Sequence, residues 1–304
     1  MRLRQIEIFY AIYSSGSITA AARQLHISQP AVSKALRYTE DQLNFLLFER
    51  VGRRLVPTSE GHRLYEEASK VNQTVSSMRR AAHNMRRALS GHLRISSVTG
   101  LSFELLPRAI AMFRTKYPNI TFELQTQHYG DLISSLRSYE NDIGLVFSAP
   151  LYSGLQRLTL GAAEFRCVYT DGLLLGDAPR VALSDVVSTD YIAMNADGPL
   201  GAVLWSKIQE VDGWVHPIAI AESCFVAKSL AASGVGIAIV DEFTSTASGH
   251  ENIKQKKIDP PITFDVHALH AQGKPLQASG QQFLESFVQV FEEYRRAVPL
   301  TIHP

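Results

Sequence analysis

Leu64, Ala68, Val71, Val75, Met78, Ala82, Met85 and Leu89 are separated by 4, 3, 4, 3, 4, 3 and 4 residues. No proline interrupts the stretch from Ser59 to Leu89, and its one glycine, Gly61, stands near the start. Thr58 or Ser59 can cap it. A 3.5-residue period lays a single apolar stripe along one helix. At about 1.5 Å per residue such a helix spans roughly 45 Å, too far to pack wholly on a small domain. A second copy of the same helix supplies a matching seam; the competing reading is an amphipathic helix lying along its own chain, which two alanines in the seam leave open. Arg79, Arg80, Arg86 and Arg87 fall off the seam and read as solvated. The helix thus separates a short N-terminal segment from a much longer C-terminal one.

In the first segment Ile6, Phe9, Tyr10 and Tyr13 recur at helical spacing and predict a helix over residues 3–14, ended by Gly16. Ser17 can cap a second helix carrying Ile18, Ala21, Ala22 and Leu25, and Ser28 a third. On that third helix Val32, Ala35, Leu36, Thr39 and Leu43 form the inward stripe. Gln29, Pro30, Ser33, Lys34 and Arg37 are left facing outward. Three short helices with a tight turn before the last describe a helix-turn-helix. Gln29 suits a bidentate bond to a base edge and Lys34 the acceptors of guanine. Ser33 is small enough for close approach, and Arg37 suits phosphate or guanine. The bland reading is a solvated face on a helix bundle. Charge weighs against it: residues 1–90 hold 14 Lys/Arg against 7 Asp/Glu, and residues 91–304 hold 16 against 22, or +7 and −6. A basic N-terminal unit meeting a polyanion accounts for that asymmetry. FERVGRRLVPTSEG adds Arg50, Arg53 and Arg54 around a glycine turn, with Leu55 and Val56 as a short strand: a basic hairpin.

The stretch AAARQLHISQPAVSKALRYTEDQLNFLLFERVGRRLVPTSEG resembles the winged helix-turn-helix of LysR-type transcriptional regulators, a likeness that extends over residues 1–65. The resemblance implies that Ser28, Gln29, Pro30, Ser33 and Lys34 meet operator DNA, and that Arg53 reaches the flanking minor groove or backbone. It also implies a homodimer, a tetramer built from it, and RNA polymerase as a partner if the chain activates. One departure is Thr39 before Glu40, where a hydrophobic residue is common; it should weaken the core slightly. The expected organisation is a winged helix-turn-helix at 1–58, a linker and dimerisation helix at 59–90, and a further unit at 91–304.

After Ser90-Gly91 the pattern changes. HLRISSV, ITFELQT and DIGLVFS read as strands with helices near 102–116 and 130–139 between them. FRCVYTD, YIAMN, HPIAIA and GIAIV form a second set with helices near 199–211 and 223–233. TFDVHALHA and a helix at 278–296 follow. This order fits two α/β lobes around a cleft if the late strand rejoins the first set. GHLRISS, LLPRAIAMFRTKYPNI, NDIGLVF and ASGVGIAIV resemble landmarks of the LysR-type effector domain, which is similar to periplasmic solute-binding proteins. That implies lobe one at 91–162 plus 266–304 and lobe two at 163–265. In such folds ligands collect where strands hand over to helix N-termini. The readable junctions place Thr99, Leu101, Ser102, His128, Asp197, Glu222, Ser223 and Asp241 as candidate effector contacts. Thr99, Leu101 and Ser102 would hold a carboxylate, and Asp197, Glu222 or Asp241 an ammonium group. For Asp197 and Ser223, simple helix capping is the competing reading. AMNADGPLG and GIAIVDEFTS resemble segments of family members that sense diaminopimelate or opines, which implies an amino-acid-like effector; a plain carboxylate or aromatic acid is the alternative.

Enzyme motifs are missing: there is no GxSxG, GxxxxGK[ST] or HExxH, and GVGIAIV lacks the third glycine of a dinucleotide fingerprint. His267 and His270 fall on opposite faces of a strand, which disfavours a metal, and neither a metal nor a cofactor is expected. Cys167 and Cys224 invite comparison with peroxide-sensing relatives, yet Cys167 lies in an apolar strand. The start MRLRQIEIFY lacks a signal-peptide pattern, and no run is long enough to span a membrane, so a cytoplasmic protein is expected. These readings converge on a ligand-responsive DNA-binding regulator. The alternative is an α/β solute-binding or metabolic protein with an N-terminal oligomerisation module.

Overall fold

The computed structural model describes residues 1–51, 54–88, 91–171, 178–249 and 252–297, so Arg53 and the seam residue Leu89 lie outside the described residues. The chain divides into two compact units, residues 1–83 and 84–304.

The first unit contains α1 (Leu3–Ser15), α2 (Ile18–Gln24), α3 (Gln29–Leu43), the antiparallel pair β1 (Phe48–Val51) and β2 (Arg54–Pro57), and most of α4 (Ser59–Ala88). Gly16 turns the chain at φ 66°, and the Ser17 hydroxyl accepts the Ala20 amide at 3.4 Å to start α2. Phe9 and Ile12 of α1, Ala21 of α2, and Val32 and Leu36 of α3 close on one core with Leu47 and Phe48. Thr39 is buried in this stripe, and its hydroxyl donates to the Ala35 carbonyl at 2.8 Å. A hydroxyl satisfied within its own helix costs the core little. The seam of α4 changes role along its length: Leu64 and Ala68 pack into the unit's own core, whereas Met78 is 71% exposed.

The second unit runs β3 (His92–Ser97), α5 (Thr99–Phe103), α6 (Leu105–Lys116), β4 (Thr121–Thr126), α7 (Tyr129–Arg137) and β5 (Ile143–Phe147). It continues through β6 (Leu155–Tyr169), β7 (Arg180–Ala182), α8 (Leu183–Val187), β8 (Tyr191–Met194), α9 (Pro199–Ile208), β9 (Ala219–Ala221) and α10 (Cys224–Ala232). β10 (Ile237–Asp241), α11 (Glu242–Thr246), β11 (Lys254–Asp259), β12 (Thr263–Ala271) and α12 (Ala278–Ala297) complete it. The strand order is β4-β3-β5-β12-β6-β10-β8-β9, with β11 joined to β6 and β7. β3, β4 and β5 run parallel, as do β8, β9 and β10. The late strand does return: β12 pairs antiparallel with β5.

β6 joins the two sheets. Leu155 to Glu164 pair with β12, and Phe165 to Val168 with β10, so the strand passes between lobes at Glu164 and Phe165 without a loop. The sequence pattern shows only the part from Phe165 onward, because the earlier stretch is largely exposed and carries no apolar alternation. The single helix expected at 102–116 is two, α5 and α6, broken at Glu104. Pro107 lacks the N–H that would bond the Phe103 carbonyl in a continuous helix. The short elements β7, α8, α11 and β11 have no counterpart among the expected elements.

One contact in the first unit is too close for any side chain. A Cβ on Gly61 would stand 2.3 Å from the Leu47 carbonyl oxygen, a backbone atom that cannot swing aside. Gly61→Ala should therefore destabilise this unit by about 1–3 kcal/mol through forced backbone movement, measured by urea denaturation of the full chain. Gly16→Ala meets no neighbour within 4 Å and should cost about 1 kcal/mol, for its positive φ alone.

Candidate DNA interface and interlobe cleft

α3 presents its first two turns to solvent. Ser28 has the extended backbone of an N-cap, yet its hydroxyl makes no capping bond, so the first-turn amides of α3 are not satisfied by it. Ser28, Gln29, Pro30, Lys34 and Arg37 are exposed and Ser33 half-buried, all on the side opposite Val32 and Leu36. Gln29 Nε2 donates to the Ser33 hydroxyl at 3.1 Å, which holds both side chains over one patch. A helix N-terminus that carries a lysine and an arginine on its outer side is suited to phosphate and base edges.

In the second unit the parallel strands of both lobes end at a common cleft of about 290 Å³. Val98, Thr99 and Gly100 line it after β3, and Gln127 to Gly130 after β4. Across from them stand Asn195, Asp197 to Gly201, Glu222, Ser223 and Cys224. Phe147, Met194 and Leu200 add an apolar wall. Among the described residues that line it there is no Lys or Arg; the carboxylates are Asp197, Glu222 and Asp241, and His128 supplies an imidazole. His128 Nε2 and Glu222 Oε1 face each other at 3.6 Å, both well exposed. The first turn of α9 has no side-chain cap, so the amides of Leu200 and Gly201, both of which line the cleft, receive no capping bond. The turn before α9 is tight, with a Cβ on Gly201 lying 1.9 Å from the Asn195 carbonyl oxygen. α10, by contrast, is capped by its own Ser223, whose hydroxyl accepts the Val226 amide.

Two family models match this chain: the bacterial regulatory helix-turn-helix protein, lysR family, over residues 3–62, and the LysR substrate binding domain over residues 86–292. The chain belongs to the LysR family of transcriptional regulators. The HTH-type transcriptional regulator DgcR of Pseudoalteromonas sp is 36% identical over 93% of this chain and 98% of that protein. The transcriptional activator protein LysR of Escherichia coli K12 is 28% identical over 93% of this chain and 91% of that protein. Full-length CbnR complexed with its target DNA shares the fold, with a TM-score of 0.68 at 19% identity over 95% of this chain and 100% of that one. This LysR-family protein is thus a DNA-binding transcriptional regulator and not an enzyme. No helix among its described residues is long and apolar enough to cross a membrane.

The cleft gathers Thr99, His128, Asp197, Glu222, Ser223 and Asp241 of the regulator's candidate effector contacts. Two others turn away. Leu101 is fully buried in the core and its amide donates to the Val98 carbonyl. Ser102 lies 2.6 Å from the Ser97 hydroxyl, donates to the Val98 carbonyl and accepts from Thr126, so its hydroxyl is fully occupied. Asp241 reaches the lining but is 1% exposed: one oxygen accepts the Thr244 amide at 2.8 Å and the other the Thr244 hydroxyl at 2.6 Å. Its carboxylate caps α11 and rests against Gly100, where a Cβ would meet it at 2.7 Å. It is not free to take an ammonium group. Burial pushes the Asp241 carboxyl up against the pull of the Thr244 bonds. Burial likewise pushes the Cys167 thiol up to about 12 and the Cys224 thiol well above its ordinary range, the opposite of an activated thiolate. Phe147 and Met194 at strand ends and Leu200 in the first turn of α9 had no individual signal in the sequence, since an apolar residue there reads as ordinary core until the lobes meet.

Behind Asp241, Glu242 is almost enclosed. Arg166 lies between two carboxylates, with Nη2 2.8 Å from Glu164 and 3.4 Å from Glu242. Burial outweighs Arg166 and, helped by the charge on Glu164, pushes the Glu242 carboxyl up to about 7. The folded protein therefore keeps a proton that the unfolded chain gives up near 4.5, so stability falls as pH rises from about 4.5 to about 7. Melting of the α/β unit between pH 5.5 and 8 should show this loss, on the order of 2 kcal/mol, and Glu242→Gln should remove it.

Proposed function

We propose that this regulator reads operator DNA with the outward face of α3, works as a homodimer, and answers to a small amino-acid-like effector bound between the lobes. Ser28, Gln29, Pro30, Ser33, Lys34 and Arg37 are the proposed contacts in the major groove, with Arg53 at the flanking groove. In support, Ser28, Gln29, Pro30 and Lys34 are exposed and Ser33 is half-buried on one side of the first two turns of α3. The dimer is supported by the α4 seam, whose Met78 stands exposed in the single chain. Binding DNA sets its work in the cytoplasm. One relative is named a transcriptional activator; if this chain activates as well, RNA polymerase is a further partner.

The effector reading rests on one observation: the cleft combines unpaired amides with acidic side chains and, among its described lining, no Lys or Arg. The amides of Leu200 and Gly201 suit a carboxylate, and Asp197 with Glu222 suits an ammonium group. Val98, Phe147 and Met194 take the apolar part. A volume near the lower end of ligand pockets, roughly 300–1,000 Å³, limits the effector to a small metabolite. A plain organic acid would leave Asp197 and Glu222 repelling it.

Two measurements test this. Ser33→Ala and Lys34→Ala should each cut discrimination between DNA from upstream of the regulator's own gene and random DNA by about 1–3 kcal/mol, followed by fluorescence anisotropy. Arg53→Ala should weaken both and flatten the salt dependence. In thermal-shift titrations of the full-length protein, amino acids should stabilise the α/β unit where plain organic acids do not. Asp197→Asn with Glu222→Gln should abolish that preference, and stabilisation by plain acids alone, unmoved by these changes, refutes the zwitterionic assignment.

A further inference from the structure

Glu40 stands on α3, the helix proposed to lie on DNA, in a unit that carries more basic than acidic residues. An acidic side chain there opposes attraction to a polyanion, so its presence needs a compensating role. Its Oε1 accepts the amide of Leu47 at 2.8 Å and that of Phe48 at 3.2 Å. Both residues are buried, Leu47 completely, and Phe48 opens the hairpin strand β1. The carboxylate thus satisfies both amides.

The same short loop is gripped from its other side. The Thr58 amide donates to the Leu47 carbonyl at 3.0 Å, and the Thr58 hydroxyl donates to the Leu46 carbonyl at 2.8 Å. Thr58 Oγ1 also accepts the Gly61 amide at 3.0 Å, which starts α4. The loop begins at Asn44, whose φ of 59° turns the chain sharply out of α3. Leu46 to Phe48 therefore form one node: α3 holds its amides through Glu40, and the first turn of α4 holds its carbonyls through Thr58.

We propose that Glu40 is a positioning residue for DNA binding, fixing the hairpin and the start of α4 relative to the helix that lies in the major groove. A helix and a hairpin that engage neighbouring parts of one duplex must keep a set separation, and a hairpin on an unpinned loop would pivot about Asn44. The inference rests on the reading that the β1–β2 hairpin touches DNA beside α3.

The test uses full-length protein, a DNA fragment it selects from a random pool, and hydroxyl-radical footprinting with affinity measurement. Glu40→Gln keeps the length and an acceptor oxygen, and should bind within about threefold of the native protein with an unchanged footprint. Glu40→Asp keeps the charge but is one methylene short. It and Glu40→Ala should lose about tenfold in affinity, with protection lost at the hairpin flanks and retained under α3. Should Glu40→Ala fail to fold, the Gln and Asp variants still decide. Tighter binding by Glu40→Gln with Glu40→Asp unchanged would mean that the carboxylate acts by charge alone and overturns the proposal. So does loss of protection evenly across the whole footprint, which marks a folding defect. A native footprint without hairpin flanks overturns the hairpin reading and this proposal together. Flanks present in the native protein and unmoved by Glu40→Asp overturn this proposal alone.

Discussion

The α/β unit depends on a single strand that belongs to two sheets. β6 hydrogen-bonds to β12 up to Glu164 and to β10 and β11 from Phe165 onward, so each lobe completes its sheet with half of the same strand. Because both sheets consist mainly of parallel strands with their helices following them, joining them this way brings the strand ends of both lobes to one cleft. The polar backbone at those ends is then left for a ligand, or for side chains that stand in for one, as Asp241 does for α11. The two crossings between the lobes, within β6 at Glu164 and Phe165 and between β11 and β12, confine relative motion of the lobes to twisting or bending about adjacent segments. Glu164, Arg166 and Glu242 sit at the β6 crossing.

Charge inside this unit is used sparingly, and the buried groups around α11 are paired. Lys228, 2% exposed, donates to the carbonyls of Thr244, Ser245 and Ala247, while Asp241 accepts the Thr244 amide and hydroxyl. The short α11 is thus held by an anion at its start and a cation at its end, in line with the helix dipole. Glu242 has a poorer bargain: it shares Arg166 with Glu164 and is correspondingly hard to ionise. The same physics separates the two acids proposed to meet an effector from the one that does not. Glu222 and Asp197 remain exposed, whereas Asp241 is already satisfied.

Much of this protein is local. The helices of the DNA-binding unit, their inward stripes, the Ser17 cap and the long α4 follow from apolar spacing and capping residues, because each signal lies within a few turns of the chain it describes. The alternation of strands and helices after residue 91 is legible for the same reason. So is the outward chemistry of Gln29, Ser33 and Lys34, which is only the complement of the buried face. Six of the eight expected cleft residues stand in the lining because strand-to-helix junctions can be recognised one at a time.

What tertiary structure alone decided concerns partners far apart in sequence. Leu101 faces the core and Ser102 bonds to Ser97 and Thr126, although both stand at a correctly recognised junction. One turn of helix separates the lining from the core, and a five-residue helix offers too few residues for a periodic signal to tell its faces apart. The carboxylate of Asp241 is a cap because Thr244 lies above it and Gly100, from the other lobe, leaves it no room. Glu40 reads as an ordinary polar helix residue until the chain returns to bring Leu47 and Phe48 onto it. Composition and period determine which faces are apolar; which polar atom each remaining side chain meets is set only when distant segments are packed and every buried donor must find an acceptor.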